Sequence, residues 1–126
     1  MQKGQTMPQS GSAISLLEAG IRAEELRQRA IASNMANIET PGYHRVDVRF
    51  EQSLAKALSS PGEIDADALE AEIYQPDDTP LRSNGNNVNM EAEIGNLVNN
   101  SLRYTTYIRL LRKKFSQIES AISDRT

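Results

Sequence analysis

The side chains that most often carry chemistry are sparse in this sequence. His44 is the only histidine, and there is no cysteine. One imidazole without thiolates falls short of a zinc-type site, and thiol catalysis and disulfides are excluded. A Ser-His-Asp arrangement needs one serine marked as a nucleophile, and no motif around any serine does so. His44 follows a turn and reads as an exposed or partner-facing side chain. The pairs Asp65/Asp67 and Asp77/Asp78 lack the Asp-x-Asp-x-Asp-Gly loop that wraps calcium, so they read as a solvated acidic segment. The glycine-containing loops lack phosphate-binding spacing. No catalytic residue, metal site or cofactor is expected, and the chain does not read as an enzyme.

What remains is hydrogen-bonding chemistry. Asn34 and Asn37 stand three residues apart, just before Thr40-Pro41-Gly42-Tyr43. An amide both donates and accepts, so each can satisfy mixed backbone partners at a helix end or in the adjoining loop. Simple capping within one chain and a tie between subunits both fit that pattern. The run Arg109 to Lys114 holds four cations. It reads as a solvated helix end that complements the helix dipole, or as contact with an acidic surface such as the acidic zone of a neighbouring copy. Aromatic interleaving is poor and the net charge is −3, so nucleic acid is not expected as a partner.

Two helices must position these residues. Residues 13–39 carry the ladder Leu17, Ile21, Glu24, Gln28, Ile31, Met35, Ile38, apolar only at its ends. A second stripe, Leu16, Ala19, Ala23, Leu26, Ala30, Ser33, Asn37, is mostly small and suits close approach of another helix. Gly20 costs about 1 kcal/mol in a helix and points to close packing. The helix must stop near Thr40, because the residue before proline disfavours the α region, and Pro41-Gly42 fits the centre of a type II turn. In residues 89–123, Met90, Ile94, Leu97, Ser101, Tyr104, Ile108, Leu111, Phe115, Ile118 and Ile122 step by four and three, a coiled-coil-like seam. Asn89 can cap its start, and Glu91 and Glu93 suit the positive helix end.

Between the helices, residues 40–88 form a different zone. Phe50, Leu54 and Leu58 suggest a short helix with Asp47 as N-cap. From Ser59 to Asn87 there are seven acidic residues against one arginine, and extended or hairpin-like structure, or none in the free chain, is expected. Ser83-Asn84-Gly85-Asn86-Asn87 reads as a turn cluster. Residues 1–12 read as a flexible segment. They lack the apolar stretch of a cleavable signal, and no run is long enough to span a membrane. At 126 residues, with 38% hydrophobic and 5% aromatic, the chain offers one thin core at most. The expected fold is mainly α: long N- and C-terminal helices packed as a coiled-coil-like hairpin around an irregular or partly extended insertion.

The segments Ala32-Ser33-Asn34-Met35-Ala36-Asn37 with Thr40-Pro41-Gly42-Tyr43, and Asn86-Asn87-Val88-Asn89-Met90-Glu91-Ala92-Glu93-Ile94, resemble the signatures of flagellar rod, hook and related axial proteins. Leu102-Arg103-Tyr104 and Leu111-Arg112-Lys113-Lys114-Phe115 continue the likeness, which covers residues 14–58 and 84–122. The short length and Phe50-Glu51 point to its proximal-rod members. Asn89 stands where the family often has Asp, a change that keeps the cap. The resemblance implies a structural subunit exported by the flagellar type III apparatus without a cleaved signal peptide, polymerising in the periplasmic rod. The partners it implies are other copies, FlgC-like and FlgF-like rod proteins, FliE, and MS-ring and export-gate components. The expected packing and assembly set is Leu17, Ile21, Ile31 and Met35 with Ile94, Leu97, Tyr104, Ile108, Leu111, Phe115 and Ile118. The competing class is a small helical-hairpin secretion chaperone or adaptor, which would bind one partner in fixed stoichiometry.

Overall fold

The computed structural model describes residues 9–59 and 65–124. The chain is mainly α-helical: α1 (Gln9–Ala36), β1 (Asp47–Arg49), α2 (Glu51–Ser59), a single 3-10 turn (Ala66–Ala68), β2 (Glu72–Tyr74) and α3 (Met90–Asp124). The two long helices pack together as an antiparallel hairpin. Gly20 meets Tyr107, Glu24 meets Asn100 and Arg103, and Asn34 meets Glu93, so α3 runs back as α1 advances. A Cβ on Gly20 would lie 2.5 Å from two carbons of the Tyr107 ring. The glycine that weakens α1 locally is therefore what lets an aromatic ring lie against its backbone.

α1 begins at Gln9, inside the segment 1–12 expected to be flexible. Adding residues to an established helix is far easier than nucleating one, so the packed part extends outward past Gly11 and Ser12. Residues 1–8 of that segment lie outside the described residues. At its other end α1 closes at Ala36, and residues 37–39 continue as turns, with the Asn37 amide bonding Ser33 O at 3.1 Å.

The insertion packs on the small-residue stripe of α1. Ala19 and Ala23 are buried against Phe50, with Leu54, Leu69 and Ala71 around them. At Ala19 and Ala23 the close neighbour is thus this insertion. β1 and β2 pair antiparallel, with Val48 opposite Ile73, Asp47 opposite Tyr74 and Arg49 opposite Glu72. Arg49 lies 3.8 Å from the Tyr74 ring centroid, a cation–π contact that fixes the register further.

Asp47 does not cap α2. Its Oδ1 accepts the Val48 amide at 2.7 Å, and α2 starts after Phe50, whose carbonyl accepts the Leu54 amide at 3.0 Å. Val48 and Phe50 are both buried, a period of two that holds this stretch extended. That alternation prevails over the i, i+4 spacing of Phe50, Leu54 and Leu58, and Leu58 is left exposed. Asn89 does cap α3, its Oδ1 accepting the Ala92 amide at 3.0 Å.

Candidate functional site

The residues singled out from the sequence converge where α1 ends and α3 begins. Asn34 is fully buried and all four of its hydrogen-bonding positions are filled. Its Nδ2 donates to Val46 O at 2.9 Å and to Glu93 Oε1 at 3.1 Å. Its Oδ1 accepts from the Val46 amide at 2.9 Å and the Tyr43 hydroxyl at 3.0 Å. The side chain thus pairs with Val46 as a neighbouring strand would, and sews the returning chain to the helix. Ser33 Oγ, 2.9 Å from the Tyr43 hydroxyl, completes the chain of donors.

Asn37 closes the helix itself. Its Nδ2 donates to Ser33 O at 2.8 Å, and its Oδ1 accepts from Thr40 Oγ1 at 3.0 Å. The first adds a second donor to the Ser33 carbonyl, which already accepts the Asn37 amide, and the second ties the turn to the helix end. Thr40 O accepts the Tyr43 amide at 3.2 Å, and Gly42 has φ +76°, so Pro41 and Gly42 occupy the centre of a type II turn. Asn34 and Asn37 make all these bonds within the chain.

The second asparagine cluster locks against this turn. Buried Asn86 donates through Nδ2 to Asn37 O at 2.9 Å and Thr40 O at 2.8 Å, while its Oδ1 accepts the Val88 amide at 2.7 Å. Asn87 Oδ1 accepts the Arg45 amide at 2.7 Å. Gly42 donates to Asn84 O at 2.9 Å, and Gly85, at φ +83°, packs so closely that a Cβ would lie 3.3 Å from Gly42 Cα. Two glycine turns therefore press together: both need positive φ, and at Gly85 a side chain would also crowd Gly42, whereas a Cβ on Gly42 would meet nothing within 4 Å.

Buried charges extend the junction along the hairpin. Arg45 Nε donates to Glu93 Oε2 at 3.0 Å, and its other nitrogens reach Asp78 at 3.3 Å and Asp47 at 3.4 Å. Farther along, the fully buried Glu24 carboxylate receives Arg27 Nη1 at 2.6 Å, Asn100 Nδ2 at 2.9 Å and Arg103 Nε at 3.0 Å. Arg27 also bridges to Glu51 at 2.8 Å and Val48 O at 3.2 Å. Burial disfavours the charge on Arg27 and on Arg45, but the hydrogen bonds and charges of their carboxylate partners outweigh it and raise both guanidinium pKa values. Burial likewise opposes charge on Glu51, but its hydrogen bond to Arg27 and the charge there hold its carboxyl below the ordinary range. Burial, and then the charges of Glu24 and Glu51, push the Tyr107 phenol up. Among the described residues, no buried side-chain nitrogen or oxygen lacks a hydrogen-bond partner.

The apolar set lies differently. Ile31 is buried, while Leu17, Ile21, Met35, Leu97, Ile108, Leu111 and Ile118 are half-buried. Ile94, Tyr104 and Phe115 are exposed, as are Val98, Leu102, Leu110 and Ile122. The stripe of α3 turned to α1 contains Glu93, Asn100, Arg103 and Tyr107, so the heptad seam is rotated partly away from the hairpin contact. Sequence reasoning missed Arg27, Arg45, Asn100 and Arg103 as junction residues. It read Glu93 only as a charge suited to the helix start. The one available signal was Glu24, the only charged residue in a ladder whose ends are apolar.

His44 is exposed, and no cluster of three metal-binding side chains occurs among the described residues. No helix among them is long and apolar enough to cross a membrane. What is built here is a junction that fixes one helix pair and one turn pair.

No protein-family model matches the chain. Individual relatives do. It is 27% identical over 119 residues to the flagellar basal body rod protein FlgB of Bacillus subtilis, covering 87% of this chain and 92% of that protein. It is 32% identical over 108 residues to FlgB of Cereibacter sphaeroides, covering 78% and 84% of the two chains. With FlgB of Borreliella burgdorferi it shares 31% over 97 residues, covering 63% and 72%. With 32% identity to the Cereibacter sphaeroides protein, 84% of which the chain covers, and with the asparagine and glycine turns joined as described, the chain belongs to the family of flagellar basal body rod proteins FlgB.

Proposed function

We propose that the chain is a structural, non-enzymatic subunit of the flagellar basal-body proximal rod, polymerising through its terminal helices into the shaft that transmits torque. The observation that carries this reading is the exposed apolar face of α3. Ile94, Val98, Leu102, Phe115 and Ile122 are all about half exposed or more on one helix of a small chain. Such faces mark contact surfaces. Covering each half-exposed Leu, Ile or Phe contributes about 1 kcal/mol, half the value for full burial. The rigid junction supports the same reading, since a subunit that passes torque needs a fixed angle between its helices.

Within this reading the subunit leaves the cytoplasm by the flagellar type III apparatus and assembles in the periplasmic part of the basal body. Its neighbours there are other copies, FlgC-like and FlgF-like rod proteins, FliE, and components of the MS ring and export gate. Asn34, Asn37, Thr40, Pro41, Gly42 and Tyr43 hold the helix end, and the apolar residues of α1 and α3 make the packing surface. The test is to delete the native gene and restore it in a tagged form. The tagged chain is expected in purified basal bodies, with motility restored. A soluble complex of fixed stoichiometry with one secreted protein, and no tag in basal bodies, would favour the chaperone reading instead.

A further inference from the structure

Two oppositely charged surfaces of this chain are at most partly paired within it. On α3, residues 109–114 carry four cations and no acid. Arg109, Arg112 and Lys113 are exposed, and among the described residues none of the four cations makes an ion pair. Beside them, Leu16, Leu17, Leu110 and the Lys113 and Lys114 stems line an open, mainly apolar groove between the helices. In the insertion, residues 70–81 carry four carboxylates and no cation. Ile73 and Leu81 in that segment are 53% and 57% exposed. Glu72 and Asp78 are engaged by Arg49 and Arg45, whereas Glu70 and Asp77 are exposed and unpaired among the described residues.

We propose that the groove and cations of α3 dock the acidic segment 70–81 of a second copy. This rests on the rod-subunit reading and names the contact between neighbours. Each surface combines exposed aliphatic residues with charge of one sign, and the signs are opposite. The apolar residues supply affinity and the charges supply orientation and register. The two surfaces are different parts of the same chain, so the contact is heterologous. Each copy then presents a free donor and a free acceptor surface, and such contacts extend into helical filaments unless the rotation closes a ring. A contact of this kind needs no folding change at the junction, where the polar groups are already satisfied.

The experiment uses the purified full chain and sedimentation velocity over a concentration series, at low and high salt. Wild type is expected to self-associate, about tenfold more weakly at high salt because exposed charges are screened. A chain carrying Arg112→Glu and Lys113→Glu, and a second carrying Glu70→Lys and Asp77→Lys, should each associate at least about tenfold more weakly, since like charges then face each other. An equimolar mixture of the two should recover association, because one reversed surface of each matches its counterpart. Circular dichroism and the Arg112→Ser, Lys113→Ser variant guard against misfolding, and the neutral variant should fall between wild type and reversal. A monomeric wild type, variants that associate like wild type, or a mixture that fails to recover would each overturn the contact. Normal incorporation of both reversed chains into basal bodies would overturn it while leaving the rod reading intact. Absence of the wild-type chain from basal bodies would strike the rod reading, whatever the sedimentation result.

Discussion

Around Asn34 the hairpin buries two carboxylates, two guanidinium groups and several amides, and gives every one a partner. Beyond Tyr104, by contrast, α3 leaves Leu110, Phe115 and Ile122 substantially uncovered. The first region is costly to desolvate but fully paired. The second is easily desolvated and has little to cover it. A core made of polar groups rewards one geometry and penalises all others, because any slip leaves a buried group unpaired. An apolar helix face accepts many partners and registers. The junction end is therefore built to define an angle, and the far end to meet something else.

The largest test of that contrast is Arg45→Met. It removes the cation facing fully buried Glu93 and leaves that carboxylate with only the Asn34 amide. Breaking one side of a buried ion pair costs about 3–5 kcal/mol. Chemical unfolding followed by circular dichroism should show a loss of that size, and a loss below about 1 kcal/mol would show the junction to be more adaptable than its geometry implies. Asn34→Ala comes next. It strips both bonds to Val46 together with those to Tyr43 and Glu93. At about 1–3 kcal/mol for a buried group left unpaired, roughly 2–4 kcal/mol is expected. Hydrogen exchange should then quicken first at Val46, the amide that loses its acceptor.

These residues also mark the limit of what was legible beforehand. The two long helices announced themselves through their four-and-three spacing, and the turn through Pro41-Gly42, because both signals are local. The asparagines were visible as polar residues in an odd place, and their resemblance to a known signature gave them a role. The partners of those asparagines were not visible. Val46, Glu93 and Asn86 lie 12, 59 and 49 residues away from the asparagines they meet. No periodicity encodes such distances. The same holds for Glu24, whose charge at the centre of the α1 ladder was apparent, but whose partners Asn100 and Arg103 come from the other helix. The heptad of α3 misled in a specific way. It located an apolar face correctly as a pattern, but the hairpin turns a more polar stripe toward α1, so apolar periodicity alone did not identify the contact.

A smaller effect follows from pH. The Glu51 carboxyl is held below its ordinary value of 4.5 despite partial burial, chiefly by Arg27. A carboxyl with a depressed folded pKa contributes stability that is fully present above its unfolded value. That contribution is lost as pH falls through the folded value. Stability should therefore hold from neutrality down to about pH 4.5 and decline below it. In Glu51→Gln the acid-side decline should be shallower, because one of the carboxylates that drives it is gone. An unchanged acid profile would mean that the exposed half of Glu51 lets solvent screen the Arg27 pair.

The smallest expected change in the monomer comes from the open end, and for that reason it is the sharpest test of the contrast. Phe115 is 51% exposed and Ile122 is 62% exposed. Replacing both with serine removes apolar area that is already largely in water. Substitutions on such a surface shift stability by about 0.5 kcal/mol or less. The double variant should thus unfold almost where wild type does and keep its helical spectrum. If this face meets a neighbour in the rod, however, the same chain should fail to support motility, because the lost contact appears only on assembly. A stability loss as large as that of Arg45→Met would mean that these residues serve the fold of the single chain. Retained stability together with normal motility would mean that they serve neither role, and the division between a self-satisfied junction and an assembly-seeking helix end would fail.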